Sequence, residues 1–351
     1  MTGLKISILD QSPVSAGMTA GQALQNTIDL ARRADELGFH RYWIAEHHAM
    51  DVLASPAPEV LLARVGAETS RIRLGSGGIM LPHYSAFKVA ETFRVLHALY
   101  PGRIDLGVGR APGGSPLESY ALRRNRELSP DDFPEQLREL LAFLHKDYPA
   151  DHRFRKVRLA PDMPGSPEVW LLGSSLWSAE TAALFGLPYN FAHFIDPNTT
   201  REAIGNYRES FRPAGFGEYP HATVALGVIC AETEAEADRL ASSARLLFRR
   251  IRQGNTAPVA SPDDAMAELA TIPDAVFAQW FPDGSEWPRY VVGTPEIVRR
   301  RLSAMAEALG LDEIMVVTIV YDHAARVRSY ELLGEAFDLP GAAAMTTAHS
   351  V

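Results

Sequence analysis

Along the chain, short apolar runs of four to eight residues alternate with longer stretches in which apolar positions recur every three or four residues. The first run, Lys5 to Leu9, is short and mostly apolar, as a buried strand is. A capping box, Thr19 to Gln22, then opens a segment that carries Leu24, Ile28, Ala31 and Ala34 or Asp35 on one stripe before Gly38 ends it. The same pair of signals recurs as Tyr42 to Ala45 with Pro58 to Thr69, Ile72 to Ile79 with Ala86 to Leu99, and Ile104 to Val108 with Phe133 to Leu144. It continues as Val169 to Leu172 with Ala179 to Phe185, Tyr189 to Phe194 with Thr200 to Phe211, and Thr223 to Cys230 with Ala235 to Arg250. The last strand, Glu313 to Val320, follows a helix Pro295 to Leu309 and precedes a helix Ala324 to Phe337.

Eight strands, each trailed by a helix, predict parallel strands joined by right-handed crossovers. Such units close most naturally into an α/β fold of the (β/α)8 TIM-barrel type, with a doubly wound open sheet as the competing arrangement. The expected organisation is one barrel domain over residues 1–339 and a flexible tail over 340–351. Two irregular stretches interrupt the repeat. Pro149 to Pro167 delays the fifth strand, and a long insertion after strand seven, residues 253–292, holds Trp280, Phe281, Trp287 and Tyr290 among Pro and Gly. An insertion after a strand lies at the C-terminal mouth, so 253–292 is expected to form a lid rather than a surface excursion.

Composition narrows the partners. At 46% apolar and 22% charged residues in 351, the chain can bury a sizeable core. Its net charge of −9, with no basic run, lacks the footprint of a nucleic-acid binder. The start from Met1 to Asp10 has no secretory pattern, and no run of about 18 apolar residues could span a membrane. The single Cys230, in an apolar run, excludes disulfides within the chain. A cytoplasmic location is expected.

In a barrel, function is read from the C-terminal ends of the strands. Strand two ends in Glu46, His47 and His48, where one histidine facing the mouth suits acid, base or donor work; the spacing matches no metal motif. Strand three ends in Gly75, Ser76, Gly77 and Gly78, which leaves bare backbone for a flat ring, or simply a relaxed barrel bend. After strand four, Arg110 offers a fixed charge to an anion. After strand five, Gly173, Ser174, Ser175 and Ser178 stand at a helix start, suited either to phosphate or to plain N-capping. His193 closes strand six.

These strings together resemble the bacterial-luciferase-like monooxygenase family. The most telling are Ile44–Ala45–Glu46–His47–His48, Gly77–Gly78–Ile79–Met80–Leu81–Pro82, the segment from Gly102 to Arg110, and Gly173–Ser174–Ser175. Leu9–Asp10–Gln11–Ser12–Pro13 is similar to a subgroup that includes monooxygenases of aromatic polyketide tailoring. The resemblance implies reduced FMN as cofactor, with His47 beside it and Glu46 and His48 adjoining. Gly77–Gly78 would form a non-prolyl cis peptide against the flavin ring, Arg110 would bind the phosphate, and Leu172, Ser174, Ser175, Ser178 and His193 would complete the cofactor contacts. Where many relatives carry a second phosphate arginine this chain reads Asp131–Asp132–Phe133–Pro134, leaving Arg123, Arg124 or Arg126 to substitute.

The implied reaction takes reduced FMN and O2 and inserts one oxygen atom into a small organic substrate. The absence of a nicotinamide fingerprint favours a separate NAD(P)H:flavin reductase, and relatives of this kind commonly pair as homodimers through helices two and three. The rivals are an F420-dependent hydride-transfer enzyme of the same fold, a non-catalytic flavin-binding protein and a metal-dependent hydrolase built on Glu46, His47 and His48. The pocket wall is expected near Asp10, Pro82, His83 and the lid.

Overall fold

A computed structural model describes residues 3–114, 116–122, 132–281 and 286–342. Eight strands form a closed parallel ring: β1 (Lys5–Asp10), β2 (Arg41–Ile44), β3 (Arg73–Met80), β4 (Ile104–Gly109), β5 (Glu168–Gly173), β6 (Tyr189–Ala192), β7 (Ala222–Cys230) and β9 (Glu313–Val317). Closure comes from β9 pairing with β1, Lys5 opposite Glu313 and Ile8 opposite Val316. The chain is therefore a TIM barrel, as the alternation predicts.

The helices are α1 (Ala20–Leu37), α2 (Pro58–Glu68), α3 (Ala86–Leu99), α4 (Pro116–Leu122), α5 (Phe133–His145), α6 (Leu176–Phe185), α7 (Thr200–Ser210), α8 (Glu234–Arg252), α9 (Pro262–Leu269), α10 (Asp274–Trp280), α11 (Pro295–Leu309) and α12 (His323–Ala336). Local chemistry sets their ends. Thr19 and Gln22 close the expected capping box on α1, and Gly38 ends it at φ 89°, a conformation open to glycine at little cost.

The region after β7 departs from the sequence reading in two ways. The insertion contains α9, α10 and a further short strand, β8 (Tyr290–Gly293), which pairs with Gly227–Cys230 of β7 outside the ring. At nine residues, all buried, β7 outruns its neighbours and offers its last four to a second partner. The helix that occupies the barrel's outer layer here is not α8 but α11: its Val298, Leu302, Met305, Ala306 and Leu309 join the main core between strands and helices. Leu247 of α8 instead joins the barrel-interior cluster with Leu9, Ala45, Val259 and Val317. Part of the β1 and β9 side of the mouth is thus covered by α8 and by Val259, whose backbone bridges Ser15.

At the opposite, N-terminal end of the ring, strand starts carry a buried charge network. Arg41 meets Asp105 at 2.9 Å, Glu313 at 3.0 Å and Glu168 at 3.1 Å, and Arg73 pairs with Asp105 and Glu168. The Trp43 indole N–H donates to Asp105 at 2.9 Å. Beyond the last barrel helix, Pro340 packs at Gly38, the Gly341 N–H donates to the Leu37 carbonyl, and Ala342 is buried; the rest of the expected tail, 343–351, lies outside the described residues.

Candidate active site

A cavity of about 460 Å3 opens at the C-terminal mouth, lined by the ends of β1 to β6 and the loops that follow them. That size falls within the usual range of roughly 300 to 1,000 Å3 for small-molecule sites. Glu46, His47, Gly77, Gly78, Arg110, Leu172, Ser174, Ser175 and Ser178 all border it, so one space collects nine of the residues singled out from sequence. Two of those residues, His48 and His193, do not reach it.

His47 presents a partly buried ring whose Nδ1 is buried and has no partner among the described residues. Burial, reinforced by neighbouring His48, pulls its pKa down to about 4, so the imidazole is neutral at pH 7 and can both donate and accept. The side chains of its neighbours are committed to one another and to the barrel. The buried Glu46 carboxylate meets His48 Nε2 at 2.6 Å, accepts from the Tyr84 hydroxyl at 2.8 Å and from the Met80 N–H at 3.1 Å. His48 sits edge-on to His83, and His83 Nε2 contacts the Pro112 carbonyl at 2.8 Å. This chain of contacts ties the end of β3 to the loop that carries Arg110. It gives Glu46 and His48 a positioning task, and among the described residues no group of three His, Cys, Asp or Glu could hold a metal ion.

The glycines at the end of β3 serve the barrel first. A Cβ on Gly77 would lie 2.4 Å from Leu9, and one on Gly78 would lie 2.8 Å from the Gly107 carbonyl oxygen. Packing therefore demands glycine, and bare backbone toward the cavity follows. The Gly77–Gly78 peptide is cis.

Anion-binding features gather on the other side of the cavity. Arg110 is exposed, lies 3.9 Å over the Trp177 ring, and among the described residues has no carboxylate within ion-pair distance. Ser175 caps α6, accepting the Ser178 N–H at 3.4 Å, while Ser178 Oγ donates back to the Ser175 carbonyl at 2.7 Å. The capping alternative thus holds for Ser175, and Ser175, Trp177 and Ser178 at the start of α6 border the cavity together with Ser174 and Arg110. Arg123, Arg124, Arg126 and Asp131, weighed above for the second phosphate contact, lie outside the described residues.

His193 is a buried pin. Its Nδ1 contacts Thr200 Oγ1 at 2.7 Å and its Nε2 contacts the Pro288 carbonyl at 3.2 Å, joining β6 to the insertion. Burial holds its pKa near about 4. The expected wall near Asp10 and Pro82 is formed by their neighbours Leu9, Gln11 and Met80, while Asp10, Pro82 and His83 themselves do not border the cavity. Buried Asp10 works behind them. Burial opposes its ionisation, but Arg326 at 2.6 Å, Tyr42 and the Ser12 N–H together hold its carboxyl below the usual range. No described residue of 253–292 borders the cavity. Phe281 and Tyr290 pack instead near Phe248 of α8, and Trp287 lies under Arg201; the side chain of Trp280 is outside the described ones.

Trp177, not singled out from the sequence, borders the cavity and meets the edge of Phe133, which also lines it, at 5.8 Å. An aromatic two residues after a serine cap was the available signal.

Residues 4–313 match the family model described as luciferase-like monooxygenase. The chain belongs to that family. It is 39% identical to the luciferase-like monooxygenase of Escherichia coli (strain K12) over 329 residues, covering 94% of this chain and 96% of that one. It is 38% identical to the N-acetyl-S-alkylcysteine monooxygenase of Bacillus subtilis (strain 168), covering 95% and 98%. The crystal structure of apo-MsnO8 is similar throughout, with a TM-score of 0.88 and 48% identity over 96% of this chain and 99% of that one. Among the described residues no helix is long and apolar enough to cross a membrane.

Proposed function

We propose that the protein is a monooxygenase that takes reduced FMN and O2 and inserts one oxygen atom into a small organic substrate. The observation that carries this reading is the convergence on one cavity of a bare glycine backbone, a neutral histidine with an orphaned nitrogen, and an arginine beside a helix N-terminus. Those parts suit a flat ring at one end and a phosphate at the other. When bound, the reduced flavin supplies the activation of dioxygen. Gly77, Gly78 and Leu172 would border the ring, and Arg110 with Ser174, Ser175 and the start of α6 would hold the phosphate. Neutral His47 on the same wall would offer a group that can both donate and accept a hydrogen bond. Apolar Leu9, Ala45 and Phe194 keep water from it.

The α8 segment and the insertion act as the lid, narrowing the mouth from the β1 side. The substrate class favoured is an aromatic polyketide-type metabolite, supported by the resemblance of Leu9–Asp10–Gln11–Ser12–Pro13 and by Gln11 on the cavity wall. Reduced flavin comes from a separate NAD(P)H:flavin reductase. A second copy of the chain covers α2 and α3, where Val60, Val95 and Leu99 are 66%, 48% and 57% exposed. A single monomeric species in light scattering at micromolar concentration contradicts that dimer.

The test of the reaction is turnover under 18O2 with a flavin reductase, NADH, FMN and a panel of aromatic polyketides and thioethers. Incorporation of one labelled atom into product, with the other in water, is the expected outcome. Hydride transfer with F420 in place of oxygenation overturns it.

A further inference from the structure

A second cavity, about 400 Å3, adjoins the first, and Ser174 and Ile195 belong to the walls of both. Its far side comes from the insertion region: Phe248 and Arg252 near the end of α8, and Arg289 just before β8. Two guanidinium groups therefore border one small space at the seam between mouth and insertion. Asp196, on the facing loop, is occupied in its own turn, accepting the Asn198 N–H and the Thr199 hydroxyl, each at 3.1 Å.

Arg289 is held in place rather than splayed into water. Its Nη1 donates to the carbonyls of Phe194 at 2.5 Å and Ile195 at 2.7 Å, and its guanidinium lies 4.0 Å over the Phe248 ring. Its Nε is buried and has no partner among the described residues. Burial, with Arg252 as a neighbouring like charge, makes its cation less favourable than in water, although Tyr290 and the Asp196 carboxylate across the cavity favour it. A preorganised arginine beside a second one on the wall of the same cavity is an arrangement that an oxygen anion stabilises.

We propose that this cavity is an anion subsite, in which Arg289 and Arg252 hold a carboxylate or phosphate whose parent molecule extends past Ser174 and Ile195 into the mouth cavity. The proposal rests on the flavin reading for what occupies that neighbouring cavity. Two sources share this chemistry: an organic substrate with an acidic end, or the phosphate of the flavin.

Calorimetric titration of the full chain with 4-phenylbutanoate and with its primary amide tests the subsite. Parallel fluorescence titrations with FMN and riboflavin identify the source. Wild type is expected to favour the carboxylate over the amide, or FMN over riboflavin, by about tenfold, and Arg252→Gln and Arg289→Gln to erase one of those ratios. Loss of the carboxylate ratio alone assigns the site to an acidic substrate; loss of the FMN ratio alone assigns it to the flavin phosphate. Arg252→Gln leaves the Arg289 bonds to the Phe194–Ile195 loop in place, so its result does not depend on that loop's integrity. Both ratios unchanged in both variants overturns the proposal. If wild type binds neither flavin, the flavin reading fails on its own, and the carboxylate-to-amide ratio still decides the subsite.

Discussion

The two ends of the barrel are built from similar residues and treat charge in opposite ways. At the N-terminal end, Arg41 and Arg73 are matched by Asp105, Glu168 and Glu313 within 3.1 Å, and Trp43 adds a further donor. At the mouth, Asp10 and Arg326 satisfy one another behind the wall, but Arg110, His47, Gly77 and Gly78 line the cavity, and among the described residues Arg110 has no carboxylate within ion-pair distance and the buried His47 Nδ1 no hydrogen-bond partner. Buried polar groups are ordinarily paired, so those left open in a concave site mark where a ligand completes the structure. The lesson is that the closed end carries stability and the open end carries chemistry, a division typical of this fold.

The largest expected effect breaks the closed end. Arg41→Met removes the cation shared by three carboxylates, leaving buried Glu313 without an arginine and buried Asp105 with Arg73 alone, with an expected loss of about 3 to 5 kcal/mol in urea unfolding. A loss under about 1 kcal/mol would erase the contrast. At the open end, Arg110→Ala is expected to leave stability within about 0.5 kcal/mol. It should weaken FMN by roughly 10- to 100-fold, as loss of a charge-assisted hydrogen bond does, and leave riboflavin nearly untouched.

His193 sharpens the comparison, because it is a mouth residue that is fully satisfied. Its folded pKa of about 4 lies below the ordinary 6.5, so between those values the unfolded chain binds more protons. Stability is therefore present above pH 6.5 and is lost as pH falls toward 4, by about 2 kcal/mol between pH 7 and pH 5. In urea midpoints across that range, His193→Gln should show a shallower fall than wild type. The smallest effect is local: Ser175→Ala removes the α6 cap and should cost about 1 kcal/mol in thermal unfolding.

The ring was legible because each strand is short, apolar and bounded, and the period change into the following helix repeats eight times. The mouth was legible where chemistry is concentrated in one string, as at Glu46–His47–His48 or Gly77–Gly78. β8 was not, since four residues, Tyr290 to Gly293, are too few for a period of two to declare itself. Nor was the exchange of roles between α8 and α11, because both are amphipathic and only packing decides which one covers the barrel. His193 and Arg289 were misjudged or missed for a related reason: their tasks rest on backbone carbonyls at Pro288, Phe194 and Ile195, which leave no trace in side-chain pattern.

The most direct test of the open end is an anaerobic calorimetric titration of the apo protein with reduced FMN and with reduced F420. One reduced FMN bound per chain, with F420 at least tenfold weaker and the FMN preference lost in Arg110→Ala, is the outcome expected of a cavity completed by flavin. Tighter binding of F420, or FMN binding unchanged by Arg110→Ala, would contradict it.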